Sequence, residues 1–215
     1  MNDYNKYWDK SWKEENVKEL SKYLDGYYKL ETKVINIFKE HGIKTICDAG
    51  CGFGAYSLAF ASNGFLVYAF DVSEKSVEIA TNLLKKYKSS INEIKVADIL
   101  NTGYEDNLFD GVVAHAVIDH LTKEDANKAL KELCRITKPN GLIMLSFDIP
   151  EEDDYSEEHR LLEEGTMFYT SKSRNGMIFH PYDIKEIKVF LDKFKIIYEE
   201  EKPNRENIII IKKAI

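Results

Sequence analysis

The strongest constraint on this chain is the run Asp48-Ala49-Gly50-Cys51-Gly52-Phe53-Gly54, placed where an apolar β-type stretch (Thr45, Ile46, Cys47) gives way to a helical pattern (Ala55, Leu58, Ala59, Phe60). Glycines at a strand-to-helix junction permit a turn that a β-carbon would penalise, and they let backbone come close to a bound molecule. The helix opening behind them offers unpaired N–H groups. Such a junction predicts an α/β architecture with a nucleotide-sized cradle at the end of its first strand.

The rest of the middle region agrees. Strand-like runs at Lys44 to Ala49, Phe65 to Asp71, Ile94 to Ala97, Gly111 to Ala114 and Leu142 to Phe147 alternate with helical patterns, as in a parallel sheet covered on both faces. Ser73 is placed to cap a helix over Glu74 to Lys88, and Thr122 with Asp125 reads as a capping box ahead of Ala126, Ala129, Leu130, Leu133 and Ile136. Pro139-Asn140-Gly141 reads as the stop of that helix and the turn into the next strand. After Asp148 comes an acidic stretch (Glu151 to Glu158), then a hairpin of Thr166 to Ser171 with Met177 to His180 around Arg174-Asn175-Gly176. A helix from about Pro181 to Leu191 and two strands, Lys195 to Glu200 and Ile208 to Ile211, close the chain.

Composition narrows the function. A chain of 215 residues with 44% hydrophobic residues can bury one substantial core. A formal net charge of −7 argues against extended contact with a nucleic-acid backbone, which needs a basic stripe. Cys47, Cys51 and Cys134 form no CxxC pair and leave an odd count, so neither a disulfide framework nor a metal site is signalled. The segment Met1 to Trp8 has no apolar core of a signal peptide, and no run reaches membrane-spanning length. A reducing cytoplasm is the expected compartment.

The glycine run resembles the first motif of class I S-adenosylmethionine-dependent methyltransferases. The resemblance continues, in the family's order, through Phe70-Asp71-Val72, Ala97-Asp98-Ile99, the segment Phe109 to His115 and the segment Leu133 to Gly141. It implies a Rossmann-like, doubly wound, mostly parallel seven-stranded sheet whose last strand is antiparallel. The expected organisation is a single domain over 1–215, with a helical N-terminal cap (1–42) and a cofactor-binding core (43–148). An acidic loop and hairpin insertion (149–180) and a closing helix and strand pair (181–215) complete it. The implied activity is methyl transfer from S-adenosylmethionine to a small-molecule acceptor, with S-adenosylhomocysteine released.

By the same resemblance, the methionine end of the cofactor lies against Ala49, Gly50, Gly52 and Gly54, with Asp48 near its amine. Asp71 stands roughly 20 residues after the loop, the separation at which nucleotide-binding folds place an acid on the ribose hydroxyls. Asp98 resembles the acid that reads the adenine amino group, with Ile99 donating from its backbone; Val72 and Ile99 are placed to sandwich the ring. Ala114 and His115 fall beside the methionine portion, which makes His115 the candidate catalytic residue. Each acid also has an ordinary reading as a turn or capping residue.

Methyl transfer from a sulfonium expels a leaving group that needs no proton, so alignment and desolvation can suffice without a conspicuous base. Candidate acceptor contacts are Tyr7, Trp12, Tyr27 and Tyr28 in the aromatic N-terminus, Asp119 after the fourth strand, and Arg174 and His180 in the hairpin. The aromatics read equally as core packing. The alternatives are a tRNA or protein methyltransferase, a non-catalytic cofactor-binding partner and a nicotinamide-dependent oxidoreductase. The last would want GxGxxG, whereas Gly50, Gly52 and Gly54 follow GxGxG. No signature singles out one acceptor or an oligomeric state.

Overall fold

Helix and strand alternate along the chain in nearly the predicted order. The N-terminal half runs α1 (Asp3–Lys13), α2 (Leu24–Glu40), β1 (Thr45–Ala49), α3 (Ala55–Ser62), β2 (Leu66–Asp71), α4 (Glu74–Lys86), β3 (Glu93–Val96) and β4 (Phe109–Ala114). A short 3-10 turn (Ile118–His120) leads to α5 (Lys123–Ile136), β5 (Thr137–Asp148), α6 (Glu152–Ser156), β6 (His159–Leu161), β7 (Met167–Tyr169), β8 (Ile178–Phe179), α7 (Ile184–Phe190), β9 (Lys195–Lys202) and β10 (Glu206–Lys212). The computed structural model describes residues 3–13, 15, 20, 22, 24–89, 91–162, 164–202 and 205–214, except the side chains of 3, 4 and 24–31.

Seven strands form one sheet in the order β3-β2-β1-β4-β5-β10-β9. Neighbours from β3 to β5 pair in parallel, whereas β10 runs antiparallel to both β5 and β9. Both faces are buried, so the strands read as continuous apolar runs whose side chains part to opposite sides at every residue. Val112, Ala114, Ile143, Leu145, Ile209 and Ile211 enter one core with the α5 residues Leu130 and Leu133. Val113, Leu142, Met144, Ile208 and Ile210 enter the other, against Val34, Ile35 and Phe38 of α2 and Phe60 of α3.

The local signals operate as physics requires. Ser73 accepts a hydrogen bond from Ser76 N at 3.3 Å, and Thr122 accepts from Asp125 N at 3.2 Å, each satisfying one orphan donor of a first turn. The structure departs from the sequence reading in three places. The helix before Pro139 ends earlier, at Ile136, and the strand already pairs at Thr137 before Pro139-Asn140-Gly141 bulges out, with Asn140 left-handed at φ 64°. The Asn-Gly segment does connect antiparallel β7 and β8, but a third strand, β6, pairs with β7 and turns the expected hairpin into a three-stranded sheet. Of the expected N-terminal cap, the second half of α2 is sheet packing: Val34, Ile35 and Phe38 are buried.

The order reverses between β1 and β4, so the crevice of an open α/β sheet falls there, outside the strands' carboxyl ends. The antiparallel strand adds something a purely parallel sheet would not. Its first residue, Glu206, pairs with Asp148 at the end of β5 and so arrives at the same edge.

Candidate functional site

A cleft of about 340 Å³ opens at this edge. Its floor is the glycine loop, where Gly50 (φ 71°) and Gly52 (φ 52°) take left-handed conformations. Crowding reinforces the requirement. A β-carbon on Gly50 would stand 2.6 Å from Val117 Cγ2, and one on Gly52 would stand 3.2 Å from the Trp12 ring. The loop is tied to the end of β2: Gly52 N donates to Asp71 Oδ2 at 2.9 Å, and Ser73 N donates to Asp71 Oδ1 at 3.0 Å. Burial pushes the Asp71 carboxyl upward, and these N–H donors oppose it. An ionised carboxylate has about four acceptor positions. Gly52 N and Ser73 N engage both oxygens here, and the Val72 backbone and the Ser76 side chain add to their pull.

Asp48 closes one end of the cleft, accepting from Ser57 Oγ at 2.5 Å. Burial pushes its carboxyl up to about 6 against the pull of Ser57 and His115. At the other end lies Asp98, which accepts from Leu100 N at 2.9 Å and from Asn5 Nδ2 at 3.2 Å. Val72 and Ile99 line the same end.

His115 leaves β4 with Nε2 2.8 Å from the Glu206 carboxylate and its ring 4.6 Å from that of Tyr56. Burial alone would push the Glu206 carboxyl up. The His115 and Lys202 partners outweigh it and hold the group down at about 2. His115, His120 and Asp148 also border a second cavity of about 400 Å³, which reaches Asp154, Arg205 and Glu206 behind the cleft.

The roof is α1. Asn5, Trp8 and Trp12 line the cleft, and Ser73 Oγ donates to Asp9 Oδ1 at 3.1 Å. Trp8 sits edge-on to His120, centroids 4.9 Å apart.

Of the residues expected at a site, Asp48, Gly50, Gly52, Asp71, Val72, Asp98, Ile99, His115 and Trp12 line this one cleft. Others stand elsewhere. Ala49 and Ala114 are wholly buried in the sheet, and Gly54 is the cap residue of α3. Tyr7 packs edge-on against Trp8, 5.1 Å between centroids, outside the lining. The side chains of Tyr27 and Tyr28 lie outside the described residues. Asp119 is fully buried beneath the cleft, its Oδ2 accepting from Asp148 N at 2.8 Å. Arg174 is ion-paired with Asp154, and His180 is buried against Thr166 Oγ1 at 3.0 Å. Burial pulls the His180 pKa down.

Asn5, Tyr56, Val117 and Asp148 were not expected in the lining. Asp148 was detectable, because it ends a strand on the same edge as Asp71. Burial and the neighbouring Asp119 charge raise its pKa.

The family model described as "Methyltransferase domain" matches residues 47–145. The chain is 32% identical over 112 residues to a tRNA (carboxymethyluridine(34)-5-O)-methyltransferase of Arabidopsis thaliana, covering 52% of this chain and 26% of that protein. It is 33% identical over 101 residues to a ubiquinone biosynthesis O-methyltransferase of Rickettsia typhi, covering 47% of this chain and 39% of that protein. The chain thus spans well under half of either relative. Among solved structures, the magnesium protoporphyrin IX methyltransferase of Synechocystis, crystallised with bound SAM, superposes with a TM-score of 0.64 at 21% identity, covering 88% of this chain and 80% of that one. No helix among the described residues is long and apolar enough to cross a membrane.

Proposed function

Since residues 47–145 of this chain belong to the class I S-adenosylmethionine-dependent methyltransferase domains, we propose that the protein transfers a methyl group from S-adenosylmethionine to a small-molecule acceptor. The observation that carries this reading is the placement of Asp48, Asp71 and Asp98 along one cleft whose floor is glycine backbone. The residues fit the cofactor. Asp48 would offer a carboxyl group to the cofactor's ammonium, and Asp71, held at the end of β2 by Gly52 N and Ser73 N, would accept from the ribose hydroxyls. Asp98 and the Ile99 backbone would hold the adenine, with Val72 and Ile99 as the apolar lining for its ring.

Bound there, the cofactor supplies an electrophilic methyl group on a leaving sulfur that needs no proton. The chain's own contribution is then alignment and exclusion of water. Trp8 and Trp12 cover the cleft from α1, while the 2.8 Å contact with the Glu206 carboxylate holds the His115 ring at the end of β4. The relative named for tRNA suggests a second acceptor class. A net charge of −7 weighs against extended phosphate contact.

Methyl-labelled cofactor tests the assignment. Incubation with a panel of small hydroxyl and amine acceptors is expected to label one of them, and bulk tRNA and mixed protein to remain unlabelled. Label confined to tRNA or protein overturns the acceptor class.

Cofactor affinity should depend on pH through Asp48. Its folded-state pKa of about 6 leaves the carboxyl increasingly protonated below that pH, which removes the charge facing the ammonium. Affinity for S-adenosylhomocysteine is therefore expected to rise as pH increases from 5 to 7, by about tenfold for one charge-assisted hydrogen bond. In Asp48→Asn that rise should flatten. A wild-type profile equally flat over this range removes Asp48 from the ammonium role.

The roof makes a separate prediction. S-adenosylhomocysteine should slow proteolysis within α1 and change tryptophan fluorescence, because Trp8 and Trp12 line the cleft. Equal protection with and without ligand would mean that these rings serve packing alone.

A further inference from the structure

Below the cleft, Asp119, His120 and Asp148 converge, one potential ligand atom from each lying within 4.8 Å of the others. Asp119 and His120 come from the turn after β4, and Asp148 from the end of β5, so the cluster is built by the sheet rather than by a local sequence pattern. Asp119 is completely buried. Its Oδ2 is committed to Asp148 N, but its Oδ1 is shut away from water with no hydrogen-bond partner among the described residues. A carboxyl oxygen in that condition is costly unless a cation or donor meets it.

The histidine is prepared in the complementary way. His120 Nδ1 lies 3.0 Å from the Ile178 carbonyl, which can only accept, so Nδ1 donates there and Nε2 is the ring nitrogen left to meet a cation. A second-sphere carbonyl that fixes the tautomer is the usual arrangement for a metal-binding imidazole. Phe179 and Trp8 flank the ring and keep it in place.

We propose that Asp119, His120 and Asp148 form a divalent-cation site at the boundary between the cleft and the second cavity. Two carboxylates and one imidazole are a mixed oxygen and nitrogen set that suits Mn²⁺ or Zn²⁺. With bonds of about 2.1 Å the donors need to stand no more than about 4.2 Å apart, so the side chains close in by a few tenths of an ångström on binding. Three protein ligands leave positions open. His120 and Asp148 border both the cleft and the second cavity, so an open position can face an acceptor there. The acceptor this site favours carries a hydroxyl oxygen able to join the cation. That role rests on the methyl-transfer reading, whereas cation binding itself does not. Asp119 and His120 are neighbours in the chain, but Asp148 joins them only through the sheet, so the constellation leaves no local pattern in the sequence.

The test uses the full chain, stripped with a chelator and desalted, then titrated with Mn²⁺ while the electron paramagnetic resonance of free Mn²⁺ is recorded. One saturable Mn²⁺ per chain is expected, with a melting temperature that rises as the ion is added. His120→Gln and Asp148→Asn should each weaken binding by about tenfold or more, the loss that even an outer partner of a metal ligand produces. Both should lose the thermal response. Glu151→Gln, which borders the second cavity outside the cluster, should bind as the wild type does. The melting transition of each variant without metal reports whether it is folded, and calorimetry with S-adenosylhomocysteine on the wild type separates the two claims. Failure of the wild type to bind Mn²⁺ saturably, or unchanged binding in His120→Gln and Asp148→Asn, overturns the cation site even where S-adenosylhomocysteine binds. Mn²⁺ binding without S-adenosylhomocysteine binding leaves the site and overturns the methyl-transfer reading.

Discussion

Replacing Asp71 by alanine is expected to weaken binding of S-adenosylhomocysteine by about 1.5 to 3 kcal/mol, roughly 10- to 150-fold, the range for losing hydrogen bonds to a charged acceptor. The structure adds a consequence that strand-end position alone does not. Gly52 N and Ser73 N both donate to this carboxylate, so its removal frees the loop and, on the proposed reading, costs the ribose contacts as well. Melting temperature should therefore fall together with affinity. Asp71→Asn separates the two contributions, because its amide oxygen can still accept from one backbone N–H while the charge is gone. Thermal stability should recover more fully than affinity in that variant. An unchanged dissociation constant in Asp71→Ala removes this residue from the cofactor site.

Gly50→Ala should be strongly destabilising although it adds a single methyl. A left-handed backbone costs a residue with a β-carbon about 1 to 2 kcal/mol, and forcing a methyl into a packed space costs about 1 to 3 kcal/mol more. The new methyl would point at Val117 Cγ2, only 2.6 Å away. Valine cannot easily swing clear, because branching at the β-carbon stiffens its first torsion. A stability loss of roughly 2 to 5 kcal/mol follows by denaturant titration. Adding Val117→Ala relieves the collision but not the backbone strain, so the double variant should recover about 1 to 3 kcal/mol of coupling. If Gly50→Ala stays within about 0.5 kcal/mol of the wild type, as exposed substitutions do, the loop does not have this geometry.

These two residues lie in the part of the site that was readable in the sequence. Asp48, Gly50, Gly52, Asp71 and Asp98 sit in or just after strands whose apolar runs are unmistakable, and a parallel sheet brings all such ends to one edge. Asp148 obeys the same rule but sits next to an acidic stretch, where one more carboxylate draws no notice. Glu206 could not be found that way. It begins a strand, and only the reversed direction of β10 carries it to His115. Arg174 and His180 show what a sequence hides in a hairpin, since a charged residue there looks available until the ion pair with Asp154 and the contact with Thr166 are seen.

The fold was legible for a related reason. Two-sided burial writes itself into the chain as uninterrupted apolar runs, as at Ile208 to Ile211. Short elements leave no such record. The three residues of β6 include His159 and Arg160 and have only Leu161 as an apolar member, itself exposed, so their pairing with β7 follows from the hydrogen-bonded ladder and not from periodicity. The Pro139-Asn140-Gly141 turn signal was real. It marks a bulge inside a strand that had already begun.

Calorimetric titration of the purified chain tests the central claim most directly. S-adenosylmethionine and S-adenosylhomocysteine should each bind saturably at one site per chain, and a nicotinamide dinucleotide should give no heat beyond dilution. Saturable binding of the nicotinamide dinucleotide, with no response to either S-adenosyl compound, would contradict the account.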